Sequence, residues 1–239
     1  MKLLIVQTGA TLPALLERHG DFPEWFQRGR GLAPQDIVIV RVDAGKTLPA
    51  AQGVDAAVIT GSGAMVSERL EWSERTADWL HAAAQKGLPM LGVCYGHQLL
   101  AHAFGGHVDY NPRGREIGTV EVECLPVAAN DPLLGVLPSR FSAQATHLQS
   151  VLRPPSDAVV LARSALDDCQ AVRYAAHVWG VQFHPEFSAS HMRGYLRERA
   201  ERVDAEGLDA RALASAVSAS PHARGLLRQF VRIAASSAR

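Results

Sequence analysis

At 239 residues, 47% hydrophobic and 20% charged, the chain can bury one sizeable core and lacks the composition of a disordered or fibrous protein. Lys and Arg total 24, as do Asp and Glu, so no net field favours nucleic acid or an acidic membrane surface as a partner. No apolar run reaches the length of a membrane span, and three cysteines without Cys-x-x-Cys spacing argue against a disulfide framework or a zinc site and fit a reducing cytoplasm.

The opening MKLLIVQTGA has one Lys and too short an apolar run for a signal peptide, so residues 2–7 read as a buried strand. A helix is expected over residues 12–19. Residues 20–31, with Phe22, Trp25 and Phe26 among Gly and Pro, read as a loop or short helix. Residues 37–42 (IVIVRV) and 56–60 are further strands. Their nearly unbroken β-branched runs point to a parallel sheet covered on both faces. The third strand leads into Thr60-Gly61-Ser62-Gly63-Ala64, a small-residue loop that exposes backbone N–H groups; a plain turn explains it equally well in isolation. A long helix follows over residues 68–85.

Residues 88–93 form the next buried strand, and residues 99–104 continue as helix until Gly105-Gly106. Between them stands Gly92-Val93-Cys94-Tyr95-Gly96, the spacing of a nucleophile elbow with Cys in place of Ser. A helix N-terminus behind the sulfur favours thiolate over thiol. Taken alone, the motif is equally compatible with an inert core cysteine. Cys124, in an alternating pattern, and Cys169, in a polar loop, read as structural.

Strands are expected at residues 120–125, 158–162, 170–174 and 177–183. Residues 126–138 read as loop, and residues 141–151 show no clear period. The last strand ends at His184-Pro185-Glu186. Proline holds the preceding histidine extended, and residues two apart in an extended segment project to one side. Residues 196–203, 208–219 and 221–235 then read as helices, the last with Ser220 as N-cap and Pro221 at its first position. Their arginines (Arg193, Arg197, Arg199, Arg202, Arg224, Arg228 and Arg232) read as a solvated face.

The elbow cysteine, the Gly-Ser-Gly loop and the His-Pro-Glu segment all sit at strand carboxyl ends, which line one edge of a parallel sheet. A thiolate nucleophile needs a base, an orienting carboxylate and oxyanion donors. Cys94, His184 and Glu186 fit the first three roles. The N–H of Tyr95 and one from the Gly61–Gly63 loop are the candidate donors. His97 and His102 lack a matching acidic set and read as packing or surface residues, and no metal is expected. Trp72, Trp79 and the aromatics near Trp25 read as core or lid.

With VITGSG, LGVCYGHQLLAHAFGG, the Arg115-Glu116-Ile117-Gly118 segment and GVQFHPEF, the sequence resembles the class I (triad-type) glutamine amidotransferases, most of all the glutaminase portion of GMP synthetase. The resemblance covers roughly residues 1–190. It implies a flavodoxin-like α/β fold, with a mostly parallel sheet, helices on both faces and C-terminal helices added. Residues 1–190 would form the amidotransferase domain and residues 191–239 an extension packed on it. It also implies attack by Cys94 on the glutamine side-chain amide, a γ-glutamyl thioester, and ammonia release with no cofactor. His184 would serve as base and then acid, oriented by Glu186, and Gln98 and Gly61 would help hold the substrate.

Two departures stand out. The oxyanion loop reads Gly61-Ser62-Gly63-Ala64 where Gly-Gly-Pro is usual, so the donor is the N–H of Ser62 or of Gly63. Thr146-His147-Leu148-Gln149 stands where a Ser-His-Gly-Asp segment is expected, which alters the substrate's amino-acid end and makes His147 a candidate pocket residue. No phosphate-binding Gly-rich loop is present, so this chain alone is not expected to make GMP. Three readings follow: a glutaminase handing ammonia to a partner synthase, a hydrolase or transferase of γ-glutamyl amides, or a catalytically idle regulatory subunit.

Overall fold

The computed structural model describes residues 1–28 and 34–237; residues 29–31, the end of the expected loop over 20–31, lie outside the described residues. The chain runs β1 (Leu3–Gln7), α1 (Pro13–His19), α2 (Phe22–Arg28), β2 (Ile37–Arg41), β3 (Ala56–Ile59), α3 (Glu71–Gln85), β4 (Met90–Val93) and α4 (Tyr95–Ala103). It continues through β5 (His107–Tyr110), β6 (Glu116–Cys124), β7 (Arg140–His147), β8 (Gln149–Arg153), β9 (Val159–Arg163), β10 (Ala171–Ala175) and β11 (Val178–Val181). Four helices follow: α5 (Ala189–Glu198), α6 (Ala200–Ala205), α7 (Ala210–Ala216) and α8 (Pro221–Ser237).

The main sheet has the order β2-β1-β3-β4-β11-β10-β9-β6-β7. The half from β2 to β11 is parallel, as the apolar strands require, and the half from β10 outward is antiparallel. Successive residues of β1 feed opposite cores. Leu3 and Ile5 join Phe26, Leu196 and Phe230 on one face, and Leu4 and Val6 join Leu80, Leu99 and Leu100 on the other. On α8, Leu226, Leu227 and Phe230 are buried in the first of these cores, each contributing about 1.5–3 kcal/mol by leaving water.

Register positions the site. Ile59 pairs with Gly92 across β3 and β4, and Val93 pairs with Val181 across β4 and β11. The chain therefore leaves β3 at Thr60, β4 at Cys94 and β11 at Gln182 on one level of one sheet edge. Residues distant in sequence meet because parallel neighbours end together.

Several expected elements differ in extent. Residues 141–151 form parts of two strands, β7 and β8. Their period was masked because Gln144, on β7, is buried with its Oε1 accepting from Thr119 Oγ1 and its Nε2 donating to the Ser218 carbonyl. The helix expected from residue 68 starts at Glu71, after a short 3-10 turn and Arg69 in the left-handed region at φ 52°. Strand β6 starts at Glu116 rather than residue 120, and β5 is an added strand that pairs, among the described residues, with β8 alone. The helix expected over residues 196–203 is two helices, α5 and α6, that break at Arg199.

Candidate active site

The turn from β4 into α4 is tight enough to dictate its residues. Cys94 has φ 52° and ψ −105°, a conformation costly for a residue with a β-carbon. A β-carbon at Gly92 would lie 2.4 Å from the Gly96 carbonyl oxygen, and one at Gly96 would lie 2.5 Å from the Ile59 carbonyl oxygen. Both glycines are there for close approach of helix to sheet. The Cys94 N–H donates to the Val181 carbonyl at 2.9 Å and the Gly96 N–H to the Thr60 carbonyl at 3.1 Å, so the elbow is pinned to both flanking strands. Tyr95, the first helical residue, has an N–H with no intrahelical acceptor.

His184 and Glu186 follow β11 and both are buried. The His184 Nδ1 lies 2.7 Å from Glu186 Oε1, and its ring stacks on Phe187 with centroids 4.1 Å apart. Among the described residues the Nε2 has no hydrogen-bond partner; the Cys94 sulfur, 3.9 Å from the Thr146 carbonyl, acts on the ring by its charge. Burial alone would suppress the imidazolium, but the carboxylate of Glu186 and the sulfur of Cys94 outweigh it and raise His184 to about 10. Burial likewise opposes the Cys94 thiolate. The charge of His184, with the charge of His147 added, brings that thiol below its ordinary value. The two shifts act together: each group favours the charged form of the other.

The loop after β3 packs directly on this pair. A β-carbon at Gly61 would come 3.1 Å from His184 Cε1 and 3.8 Å from Cys94 Cβ. Thr8 and Thr60, both fully buried, clamp the loop. The Thr8 N–H donates to Thr60 Oγ1 at 3.1 Å, and the Thr8 hydroxyl lies 2.9 Å and 3.0 Å from the carbonyls of Thr60 and Gly61. Ser62 Oγ accepts from the Ala64 N–H at 3.1 Å. Phe22 of α2 abuts Gly61 and lies nearly parallel to the His184 ring, so the expected loop or short helix over residues 20–31 supplies an aromatic cover.

A cavity of about 50 Å³ beside the sulfur is lined by Ser62, Gly63, Tyr95, Gln98, His147 and others. Gln98 has both amide hydrogens engaged, to the Gln149 carbonyl at 2.7 Å and to Gln182 Oε1 at 2.9 Å, which leaves its Oε1 for a ligand. His147 is committed in the same way. Its Nδ1 lies 2.9 Å from the Gln149 carbonyl and its Nε2 lies 3.0 Å from Glu116 Oε2. Both of these neighbours are acceptors, which favours hydrogen on both ring nitrogens and so the imidazolium form. Burial opposes that charge, but the hydrogen bond from Glu116 and the charges of Asp167 and Glu116 raise its pKa. Ser164, Gln170 and Ser150 complete the network around the two acids.

All the expected site residues therefore lie at one sheet edge, with Cys94, His184 and Glu186 forming a connected set. Sequence reasoning missed Thr8, Thr60, Glu116 and Asp167 as supports, since a buried threonine or acid leaves no local pattern. It also placed Arg199 on a solvated face. The structure puts Arg199 on the cavity wall with its Nε buried, because the chain turns inward where α5 gives way to α6. His97, fully buried, has its Nδ1 3.0 Å from the Tyr174 hydroxyl and is a packing residue. Trp25 and Phe26 are core.

The chain resembles known proteins in sequence and in shape. Over 160 residues it is 40% identical to a GMP synthase [glutamine-hydrolyzing] of Aeropyrum pernix, covering 66% of this chain and 29% of that protein. Over 161 residues it is 33% identical to a γ-glutamyl-L-1-hydroxyisopropylamide hydrolase of a Pseudomonas species, covering 64% of this chain and 54% of that one. It thus spans about a third and about half of the lengths of these two relatives. The crystal structure of a glutamine amidotransferase from Thermotoga maritima superposes with a TM-score of 0.74 at 20% identity, covering 98% of this chain and 97% of that one, a likeness of fold. The family model for glutamine amidotransferase class-I matches residues 27–201, and with the elbow, the shared sheet edge and the family's fold in place, the chain belongs to the class-I glutamine amidotransferases.

Proposed function

We propose that this enzyme hydrolyses the side-chain amide of glutamine through Cys94, His184 and Glu186 and releases ammonia to an acceptor held by a partner synthase. The observation that carries the reading is the buried Cys94 beside His184, with the imidazole held by Glu186 and the sulfur opening on a small cavity. The Cys94 thiolate attacks the amide carbon, and the carbonyl electrons move to oxygen, facing the N–H groups of Tyr95 and Ser62 or Gly63. His184 Nε2–H passes its proton to the departing nitrogen, ammonia leaves, and a γ-glutamyl thioester remains. Neutral His184 then takes a proton from water as the hydroxyl oxygen bonds to the thioester carbon. Collapse expels the thiolate and restores the ion pair with glutamate as product. Glu186 holds the imidazole at Nδ1 throughout and stabilises the imidazolium.

The domain organisation belongs to the same proposal: residues 1–190 carry the chemistry, and residues 191–239 are an extension on the same body. The similarity to one portion of a glutamine-hydrolysing synthase supports an acceptor-activating partner.

The test is ammonia release from L-glutamine beside Cys94→Ser, each protein also treated with a glutamine-like diazoketone and weighed intact. Steady release and an adduct on the Cys94 protein alone are expected. Ammonia release that persists undiminished in Cys94→Ser would remove the mechanism. A second reading, hydrolysis of γ-glutamyl amides other than glutamine, is favoured by the similarity to the γ-glutamylamide hydrolase and by the Thr146–Gln149 departure. A kcat/KM for a γ-glutamyl alkylamide above that for glutamine would select it.

A further inference from the structure

The cavity beside Cys94 has two guanidinium groups in its wall, and they are not equivalent. Arg115, whose side chain is only 2% exposed, is held by Glu206 through two hydrogen bonds, at 2.5 and 2.8 Å. Its charge is neutralised, and Arg202 braces the same carboxylate from the next turn of α6. Arg199 makes no ion pair and no side-chain hydrogen bond among the described residues. Its nearest recorded partner is the face of Tyr195, 5.8 Å from the guanidinium carbon, and its Nε is buried without a partner. A partly buried cation left unpaired is costly, and a wall that spends one carboxylate on Arg115 and none on Arg199 is arranged for an anion supplied from outside.

Both reactions considered above share one substrate portion, the γ-glutamyl group, and its only anionic group is the α-carboxylate. We propose that Arg199 binds the α-carboxylate of the γ-glutamyl substrate and so sets the preference for an amino-acid end over a plain amide. The assignment rests on the proposed γ-glutamyl chemistry. It also gives the C-terminal helices a part in the site: the break between α5 and α6 aims Arg199 inward, and Glu206, which caps the end of α6, occupies Arg115. The departure at Thr146–Gln149 fits this division. Gln149 carries no charge, and its side chain is committed to Ser67, so the nearby cation is left to select the charged end of the substrate.

The experiment compares L-glutamine with 4-aminobutanamide, which is glutamine with hydrogen in place of the α-carboxylate, on the wild-type chain, Arg199→Met and Arg199→Lys. Turnover is one arm. Protection of Cys94 from alkylation by uncharged iodoacetamide is the other, and it needs no turnover. In Arg199→Met, kcat/KM for glutamine should fall about 10–100-fold, mostly through KM, and protection by glutamine should weaken by a similar factor. The fall for 4-aminobutanamide should stay below about threefold, and Arg199→Lys should recover part of the loss. Equal losses on both compounds would make Arg199 a structural residue and overturn the assignment, as would undiminished protection by glutamine in Arg199→Met. A wild-type chain protected by glutamine without hydrolysing it removes the proposed reaction but keeps the carboxylate site. One neither protected nor active removes both.

Discussion

Gly61 and His184 are in contact across the sheet edge: a β-carbon at Gly61 would lie 3.1 Å from His184 Cε1. The loop proposed to bind an oxyanion therefore also forms the wall that sets the position of the imidazole. Gly61→Ala must displace one or the other by a few tenths of an ångström. Because reacting groups tolerate little misplacement, kcat should fall about 10-fold or more while Tm changes little. Steady-state kinetics and a melting curve on the same preparation check this, and full activity in Gly61→Ala would show that the contact does not set catalytic geometry.

Glu186→Gln keeps the shape beside His184 and removes the charge. The raised pKa of His184 depends on that carboxylate and on Cys94, after the opposing effect of burial. The imidazolium is present below about 10 in the wild-type protein and is lost as pH rises through that value. In the proposed reaction ammonia expulsion needs the imidazolium, so wild-type kcat/KM should hold through neutral pH and decline only in alkali. The variant should lose about 10²–10⁴ in kcat, and its alkaline limb should move to lower pH. An unshifted limb would mean that Glu186 does not govern the proton on His184.

His147 is buried, with its imidazolium form favoured by Glu116, Asp167 and, across the cavity wall, Cys94. His147→Gln leaves the two acids without their cation. A stability loss of about 3–5 kcal/mol is expected from breaking such a buried set. The linkage has a defined sign. The folded pKa is raised, so this stabilisation is complete below the ordinary imidazole range and declines as pH climbs through the raised value. A second readout separates electrostatics from folding: the midpoint of Cys94 alkylation against pH should move up in the variant that remains folded. Unchanged midpoints would confine His147 to a structural role.

His97 has the opposite linkage. Burial lowers it to about 3, so the folded protein keeps it neutral while the unfolded chain takes up a proton below its ordinary value. Stability from this group is present above about 6.5 and is lost progressively as pH falls toward 3. Melting temperatures from pH 7 down to 4.5 should therefore drop more steeply for the wild-type chain than for His97→Gln. Parallel curves would indicate that another group controls the acid limb.

Much of the site was legible because its demands are local. The elbow needs glycine two residues either side of a nucleophile, and a strand-end His-Pro-Glu places two side chains on one side; neither depends on distant residues. The strands of the parallel half were equally plain, since burial on both faces leaves an unbroken apolar run. The antiparallel half was harder. Gln144 is buried by partners on β6 and in the segment before α8, and no window of neighbouring residues contains that information.

What the amino-acid order pointed to by itself was the proposed chemistry: which sulfur, which imidazole and which carboxylate, named by short motifs whose geometry follows from backbone sterics. What only the tertiary structure decided was the surroundings. Register across β4 and β11 brings Val93 beside Val181, and so Cys94 to His184, from 90 positions apart in the chain. The clamp of Thr8 on Thr60 and Gly61, the charge favoured on His147 and the inward turn of Arg199 depend on the same assembly. Burial and charge pairing are properties of neighbours in space, and a residue's neighbours in space are fixed only when the sheet has closed around it.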